Sequence, residues 1–191
     1  VRLFTKAATD SLGDKKTINL SAKDILLQDW IALNPYAPPL KGNVSGEVSI
    51  FHQGDTINGQ ANMKLTEFFY GKSRVGDFGL AANIETQPRG YIRAKGEMNV
   101  NGDRVIYVNG HLNDTTAAEP FMLDVKVDSM PLDVSNPFIS DAGLKLSGHL
   151  DGNMKVTGSM SKPSFDGYVK FDSANVKVNM LGTEYALGQD R

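Results

Sequence analysis

The sequence predicts an all-β protein built from one long antiparallel sheet, and three observations support this. Apolar and polar residues alternate with period two over most of the chain, short turn sequences separate the alternating runs, and helix signals are scarce. Successive strand side chains point to opposite faces, so each run describes a strand with one apolar and one polar face. Repeated runs with regular turns are typical of an all-β meander.

The clearest alternating run is Leu144–Ser161, in which every even position is apolar or glycine and every odd position is polar. Similar runs indicate roughly ten strands, and they begin at Ile57, Phe78, Ile92, Ile106, Phe121, Phe165 and Ala174. Asn101-Gly102, between two such runs, is the strongest hairpin signal. Further turns are predicted at 53–55, 87–90 and 161–163.

Helix is predicted in one or two short segments only. Ser21–Asp24 resembles a capping box leading into a helix over Ile25–Leu33, which the following prolines would stop. A strand running into a short helical turn at Ile31–Asn34 is the alternative. A second helical turn is predicted near Val134–Ile139.

Aromatic residues near these segments interrupt the alternation. Phe68-Phe69-Tyr70 is predicted to fold over a sheet edge or pack as core, with an exposed contact patch as the alternative. Trp30 is predicted to be a hydrophobic plug rather than a recognition residue.

The chain also contains an internal repeat. Asn34-Pro35-Tyr36 recurs as Asn136-Pro137-Phe138, and Val44–Val48 recurs as Leu146–Leu150, both 102 residues later. We therefore expect one elongated β domain over 1–191 with repeats at about 18–85 and 121–187. Repetition of this kind favours a stacked architecture.

Composition excludes several classes of function. The 191 residues suit one domain or a domain-sized piece. Twenty Lys+Arg against 22 Asp+Glu leave no broad basic surface for nucleic acid. The absence of cysteine excludes disulfides, thiolate metal sites and cysteine catalysis. His52, His111 and His149 each stand alone, without a metal-ligand spacing. We therefore expect a protein that is not an enzyme, with no cofactor and no metal.

The apolar face itself is the remaining candidate for function. A closed barrel or sandwich would pack it against itself, whereas an open trough would offer it to lipid or to a partner strand. Glycines on this face would supply curvature and space; they are Gly59, Gly96, Gly110, Gly148, Gly152, Gly158 and Gly167. The alternation alone leaves both architectures open and favours the closed core.

The segment from Asn136 onward resembles the C-terminal region of the TamB (translocation and assembly module) family. The matching motifs, in order, are Ser147-Gly148, Gly152, Thr157-Gly158-Ser159 with Pro163, Gly167, Val176–Val178, and Leu181-Gly182-Thr183 with Tyr185. The first copy of the repeat departs from the family pattern, because Gln53–Thr56 stands where the Ser-x-x-x-Pro turn would be.

The resemblance implies a curled antiparallel amphipathic sheet, the β-taco or open β-solenoid-like trough, with an apolar concave face. It implies a periplasmic module of the cell envelope whose hydrophobic groove carries phospholipid between the inner and outer membranes. A docking module for outer-membrane β-barrel biogenesis and protein secretion, with an Omp85-type partner, is the alternative. The full-length family protein is anchored in the inner membrane, so we expect this chain to be a fragment of a longer envelope protein.

With the resemblance, the open trough replaces the closed core as the expected architecture. The expected partners are phospholipid acyl chains, held by apolar side chains. The predicted lining residues are Leu144, Leu146, Leu150, Met154, Val156, Phe165, Val169, Phe171, Val176, Val178, Met63, Leu65, Met98 and Val100.

Overall fold

Eleven strands form a single sheet in the computed structural model, which describes residues 4–9, 15–32, 34, 36–53, 55–87, 90–113, 120–159 and 162–187. The strands are β1 Phe4–Thr9, β2 Lys15–Leu26, β3 Leu40–Gln53, β4 Thr56–Tyr70, β5 Ser73–Gln87, β6 Tyr91–Val100, β7 Asp103–Leu112, β8 Phe121–Pro131, β9 Leu144–Ser159, β10 Lys162–Val178 and β11 Thr183–Leu187.

Each strand pairs antiparallel with its neighbours in sequence. Strands β1 and β11 therefore lie at opposite edges of the sheet, and among the described residues they do not pair with each other. This confirms the predicted all-β, antiparallel fold, and it shows that the sheet is not closed into a barrel.

The helical segments are short, as predicted, but the first begins later than the capping box indicated. Strand β2 continues through Ser21 to Leu26, and α1 covers only Leu27–Ile31. Ser21 pairs with Glu47 in the sheet, so it is not a helix cap. The alternative, a strand running into a short helical turn, describes this region better, although the turn lies earlier than Ile31–Asn34.

The second predicted helical turn is confirmed. A 3-10 turn at Leu132–Ser135 leads into α2, Asn136–Ile139, and a second 3-10 turn follows at Ser140–Ala142. The Asn101-Gly102 hairpin is also confirmed, because β6 ends just before it and both residues have positive φ, 52° and 99°. The turns predicted at 53–55, 87–90 and 161–163 lie partly outside the described residues.

Register shifts opposite Phe68/Phe69 and Met98/Asn99 mark irregularities near the starts of β5 and β7. Wider β-bulges interrupt four of the long strands, between Ala22/Ile25, Leu65/Phe68, Val127/Met130 and Asp172/Asn175. Each of these four bulges contains a non-glycine residue with positive φ, namely Asp24, Glu67, Ser129 and Ser173. A bulge adds a residue to one strand, bends it and increases its twist. The extra residue also explains why Phe68 breaks the alternation of its strand.

Neighbouring strands satisfy the backbone at three of these bulges. The amide of Asp24 donates to Ser45 Oγ at 2.9 Å, and the amide of Glu67 donates to Asp77 Oδ1 at 2.7 Å. The amide of Ser129 likewise donates to Asp151 Oδ1 at 2.8 Å. Because a bulge takes amides out of the sheet ladder, these side chains replace the lost acceptors.

The two repeat segments share an order of elements. In each, a bulged strand leads into a helical turn, followed by two strands of which the second is bulged. The bulges of β2 and β8 lie 105 residues apart, and those of β4 and β10 lie 107 apart. The division of the chain into repeats at 18–85 and 121–187 stays a prediction.

Close packing is confined to a small part of the sheet. The buried hydrophobic residues are Val75, Val100, Val105, Val156 and Ala174, Pro137 of α2 is also buried, and no polar or charged residue is buried among the described ones. The two largest fully buried side chains, Val100 and Val105, flank the β6–β7 turn. Most of the described chain therefore lacks the interior that a closed core would have.

Aromatic side chains add to this packing near α2. Phe68 contacts Phe78 edge-on, with ring centroids 5.8 Å apart, and Tyr70 lies 4.9 Å from Phe138 of α2. This agrees with the prediction that the aromatic run packs. The prediction for Trp30 is wrong, because 61% of this residue is exposed: it belongs to a five-residue helix that buries none of its side chains.

Candidate apolar binding face

The strand register joins the alternating runs into continuous apolar rows across β2 to β10. Three such rows, of nine residues each, define what we call the apolar face. The first row is Ile18, Ile50, Gly59, Ile84, Ala94, Gly110, Leu123, Val156 and Phe165. The second row is Leu20, Val48, Ala61, Ala82, Gly96, Val108, Val125, Met154 and Gly167. The third row is Ala22, Gly46, Met63, Leu80, Met98, Ile106, Val127, Gly152 and Val169.

This face is large and partly solvent-exposed. Leu80 and Ile84, in the middle of the sheet, are each 48% exposed, and Val169 near its edge is 64% exposed. At about 4.8 Å between strands, nine strands span about 38 Å. A contiguous apolar surface of this extent is unusual on a monomeric protein and marks a site of interaction with lipid, ligand or protein.

The opposite face of the same strands is polar. One of its rows is Asn19, Ser49, Gln60, Asn83, Lys95, Asn109, Asp124, Lys155 and Asp166. Within it, Ser49 Oγ donates a hydrogen bond to Asn19 Oδ1 at 2.7 Å. These side chains can hydrogen-bond with water, so one face of the sheet is mainly polar and the other is apolar.

Tyr107 is an aromatic exception on the polar face, and charged groups surround it. Arg104 and Lys126 lie 5.9 and 5.7 Å from its ring centroid. A hydrogen bond from Lys126 to Asp128 raises the pKa of this lysine, and the negative charge of Asp128 adds to the effect. The raised pKa keeps Lys126 cationic at neutral pH, so this cluster contributes positive charge to the polar face.

Two depressions, of about 530 and 540 Å³, open mainly among residues of the polar face, including Glu47, Lys64, Lys95 and Asp124. They carry charges of both signs, and their linings also include residues of the apolar rows, namely Ala22, Gly46, Met63 and Leu80 in one and Gly96 and Val108 in the other. The apolar face itself is broader than either depression, because its rows extend across nine strands.

The predicted lining residues occupy this face and its extension beyond the third row. Those within the three rows are Met63, Met98, Met154, Val156, Phe165 and Val169. Those beyond the third row are Leu65 and Val100, which both pair with Phe78, and Leu150, which pairs with Phe171. Past the β10 bulge, Leu146 pairs with Val176 and Leu144 with Val178.

Two of the predicted lining residues are covered in this structure. Val100 is 1% and Val156 6% exposed. Neighbouring groups therefore cover these two side chains, and a ligand on the face could not contact them directly. Conversely, Ile18, Ile50 and Leu80 are exposed on the face and were not among the predicted lining residues. The alternation identified the strand positions, but only the register shows which of them lie together.

The structure corrects the role of several glycines on this face. A Cβ at Gly110 would lie 2.8 Å from the carbonyl oxygen of Met122, and one at Gly152 would lie 2.9 Å from that of Tyr168. These glycines allow close approach of the neighbouring strand and do not leave free space for a ligand. Gly59 does open space, because the nearest atom to its Cβ position is 4.0 Å away.

No cluster of metal-ligating side chains occurs in the part of the chain that the structure describes. His52 and His149 are exposed on separate strands. No helix within the described ranges is both long enough and apolar enough to cross a membrane. The described residues therefore present the apolar face as the leading candidate site.

Comparison of this chain with models of protein families, with curated proteins and with solved structures finds no match.

Proposed function

We propose that this chain is a non-enzymatic module of the periplasm that carries phospholipid between the inner and outer membranes on its apolar face. The observation that carries this proposal is the set of three unbroken apolar rows across nine strands, with half-exposed side chains at their centre. Acyl chains gain about 0.8 kcal/mol for each methylene that leaves water. Such a face would hold lipid by its tails, with the headgroup at the rim.

The bulges support a curled form of the sheet. Four bends recur in β2, β4, β8 and β10, and a bulge bends its strand. We propose that these bends curl the sheet into an open trough with the apolar face on its concave side. Repeated apolar rows along the trough would offer similar affinity at each step, so a bound lipid could slide with small barriers.

Native mass spectrometry of the gently purified protein tests lipid carriage. We expect phospholipid to co-purify with the unmodified chain. Leu80→Asp should lower the retained lipid at least tenfold, because it places a charge against the acyl chains. Ala81→Asp is the matched control, since the neighbouring residue lies on the polar face. Equal retention by the two variants would contradict the proposal.

A second function, docking to an outer-membrane β-barrel protein, is favoured by the edge of β10. Strand β11 pairs only with Ala174–Val178, so within the described residues Lys162–Asp172 pairs on one side only. An exposed strand edge can accept a strand from another chain. An Omp85-type barrel is the partner we propose for this alternative, with the full-length protein anchored in the inner membrane.

Photo-crosslinking in cells distinguishes docking from lipid carriage. A crosslinker at Tyr168, on the open edge strand, should form a specific adduct with the barrel protein. A crosslinker at Asn62, in the middle of the sheet, is the control and should not. If neither position gives an adduct while other envelope partners are trapped, docking through this edge is wrong.

A further inference from the structure

The antiparallel order brings both helical segments to one end of the sheet, which we call the helical edge. It comprises α1, residues 36–39, α2, and the turns that follow β4, β6 and β10. Backbone hydrogen bonds join these parts. The amide of Gly71 donates to the carbonyl oxygen of Pro39 at 2.7 Å, and that of Asn179 to the carbonyl oxygen of Gly143 at 2.8 Å.

Large apolar side chains are exposed near both ends of this edge. Trp30 and Tyr36 are 61% and 92% exposed near one end, whereas Met180 and Leu181 are 90% and 68% exposed near the other. The two groups are separated by about eight strand spacings, or about 38 Å along the sheet. Exposed apolar side chains on two separate turns fit an extended surface better than the compact pocket of a single protein partner.

The residue types also fit the boundary between lipid and water. Trp and Tyr combine an apolar ring with a polar tip and are enriched at membrane interfaces. Exposed charges of both signs lie between the anchors, with Lys41, Lys72 and Lys177 balanced by Asp29, Asp133 and Asp141. A surface without an excess of cations suits zwitterionic lipids rather than anionic ones.

The helical edge is continuous with the apolar face. Phe138 of α2 contacts Tyr70 at the end of β4, and it also lies 6.5 Å from Phe68. Phe68 in turn contacts Phe78, which pairs with Leu65 next to the third apolar row. An apolar path therefore leads from the edge onto the face.

We propose that the helical edge docks on the interface of a zwitterionic phospholipid bilayer and is the route by which lipid reaches the apolar face. Its role in lipid entry rests on the proposed function, whereas docking on the bilayer does not. The side chains at Trp30, Tyr36, Met180 and Leu181 would insert among the headgroups, with the charged residues between them remaining in water.

The single tryptophan of the chain makes a direct test possible, because its fluorescence reports on this edge alone. With vesicles of phosphatidylcholine, we expect Trp30 emission to shift to shorter wavelength and to be quenched by lipids brominated on their acyl chains. The double variant Met180→Ser, Leu181→Ser should weaken vesicle binding about tenfold, since it removes apolar groups that the bilayer would bury. Tyr168→Ser, exposed on the polar face, is the control and should bind as the unmodified chain does.

Four outcomes distinguish docking on the bilayer from lipid carriage. An unchanged Trp30 spectrum with phosphatidylcholine vesicles overturns the proposal. Binding that requires anionic lipid and disappears in high salt also overturns it, because attachment would then be electrostatic. If lipid co-purifies but Trp30 is not quenched, lipid carriage stands and docking fails. If Trp30 is quenched but no lipid is retained on the apolar face, docking stands and lipid carriage fails.

Discussion

At the scale of single residues, two glycines in the same apolar row behave differently. Gly110 faces the backbone of β8 so closely that a Cβ would lie 2.8 Å from the carbonyl oxygen of Met122. Gly59 has open space at the corresponding position. The sequence places both on the apolar face, but it cannot reveal this difference, because that depends on how closely the paired strand approaches.

The two glycines give a matched pair of substitutions. Gly110→Ala should destabilise the fold by about 1–3 kcal/mol, because the backbone of the next strand must shift. Gly59→Ala should be neutral or stabilise by up to about 1 kcal/mol, because alanine restricts the unfolded chain. Urea unfolding measures both. Equal loss of stability in the two variants would contradict the close-approach explanation.

The bulge in β8 depends on one carboxylate of the neighbouring strand. Asp151 Oδ1 accepts the amide of Ser129, which the bulge removes from the sheet ladder. Asp151→Ala should cost about 1 kcal/mol of unfolding free energy, whereas Asp151→Asn should keep most of the stability because it retains an acceptor. If the alanine variant unfolds at the same urea concentration as the unmodified chain, the hydrogen bond contributes nothing.

At the scale of elements, most strands were predictable and their irregularities were not. Alternation identified long strands such as Leu144–Ser159, and Asn101-Gly102 identified its hairpin, since both signals are local. The bulges were not predicted, because a bulge places the next apolar residue three positions along the chain, as from Leu65 to Phe68. Such a step interrupts the period-two alternation and looks like the end of a strand. The helix predicted over Ile25–Leu33 was wrong at its start, because pairing with β3 keeps Ser21–Leu26 in the sheet.

Asn136 fixes α2 against β9. Its side chain accepts the amide of Leu146 at 2.7 Å and donates to the carbonyl oxygen of the same residue at 2.9 Å, as a neighbouring strand would. The helical segment can therefore continue beside β9 where the pairing of β8 ends. This asparagine belongs to the sequence repeat, but only the structure shows that its side chain replaces the backbone hydrogen bonds of a neighbouring strand.

Removing this side chain should loosen the helical segment. Asn136→Ala should lower stability by about 1–2 kcal/mol, the contribution of two hydrogen bonds, and should speed hydrogen exchange at the Leu146 amide. Ser140→Ala, at the end of the same segment, should leave that exchange rate unchanged. Unaltered protection of Leu146 in the Asn136 variant would show that other contacts hold α2.

At the scale of the whole molecule, the sheet leaves its most apolar surface uncovered. Among the described residues, the buried hydrophobic side chains are four valines and one alanine, whereas Ile18, Leu80 and Ile84 stand about half exposed on a face that spans nine strands. Burial of those side chains by acyl chains would supply the apolar contacts that the chain does not make with itself. The proposal of lipid carriage follows from this imbalance.

The sequence predicted this surface only in part. Its polarity was evident from the alternation, but whether it closes on itself depends on the pairing of the edge strands, which no local pattern encodes. The predicted lining residues accordingly include Val100 and Val156, which the structure covers, and omit Leu80, which it exposes.

A photo-crosslinking scan along the central strand tests the central claim most directly. A crosslinking residue is placed in turn at each position from Phe78 to Glu85, and the protein is exposed to labelled phospholipid. Because the even positions face the apolar side and the odd positions the polar side, we predict lipid adducts at 78, 80, 82 and 84 and none at 79, 81, 83 and 85. Adducts of equal yield at odd and even positions, or none at any, would contradict lipid binding on the apolar face.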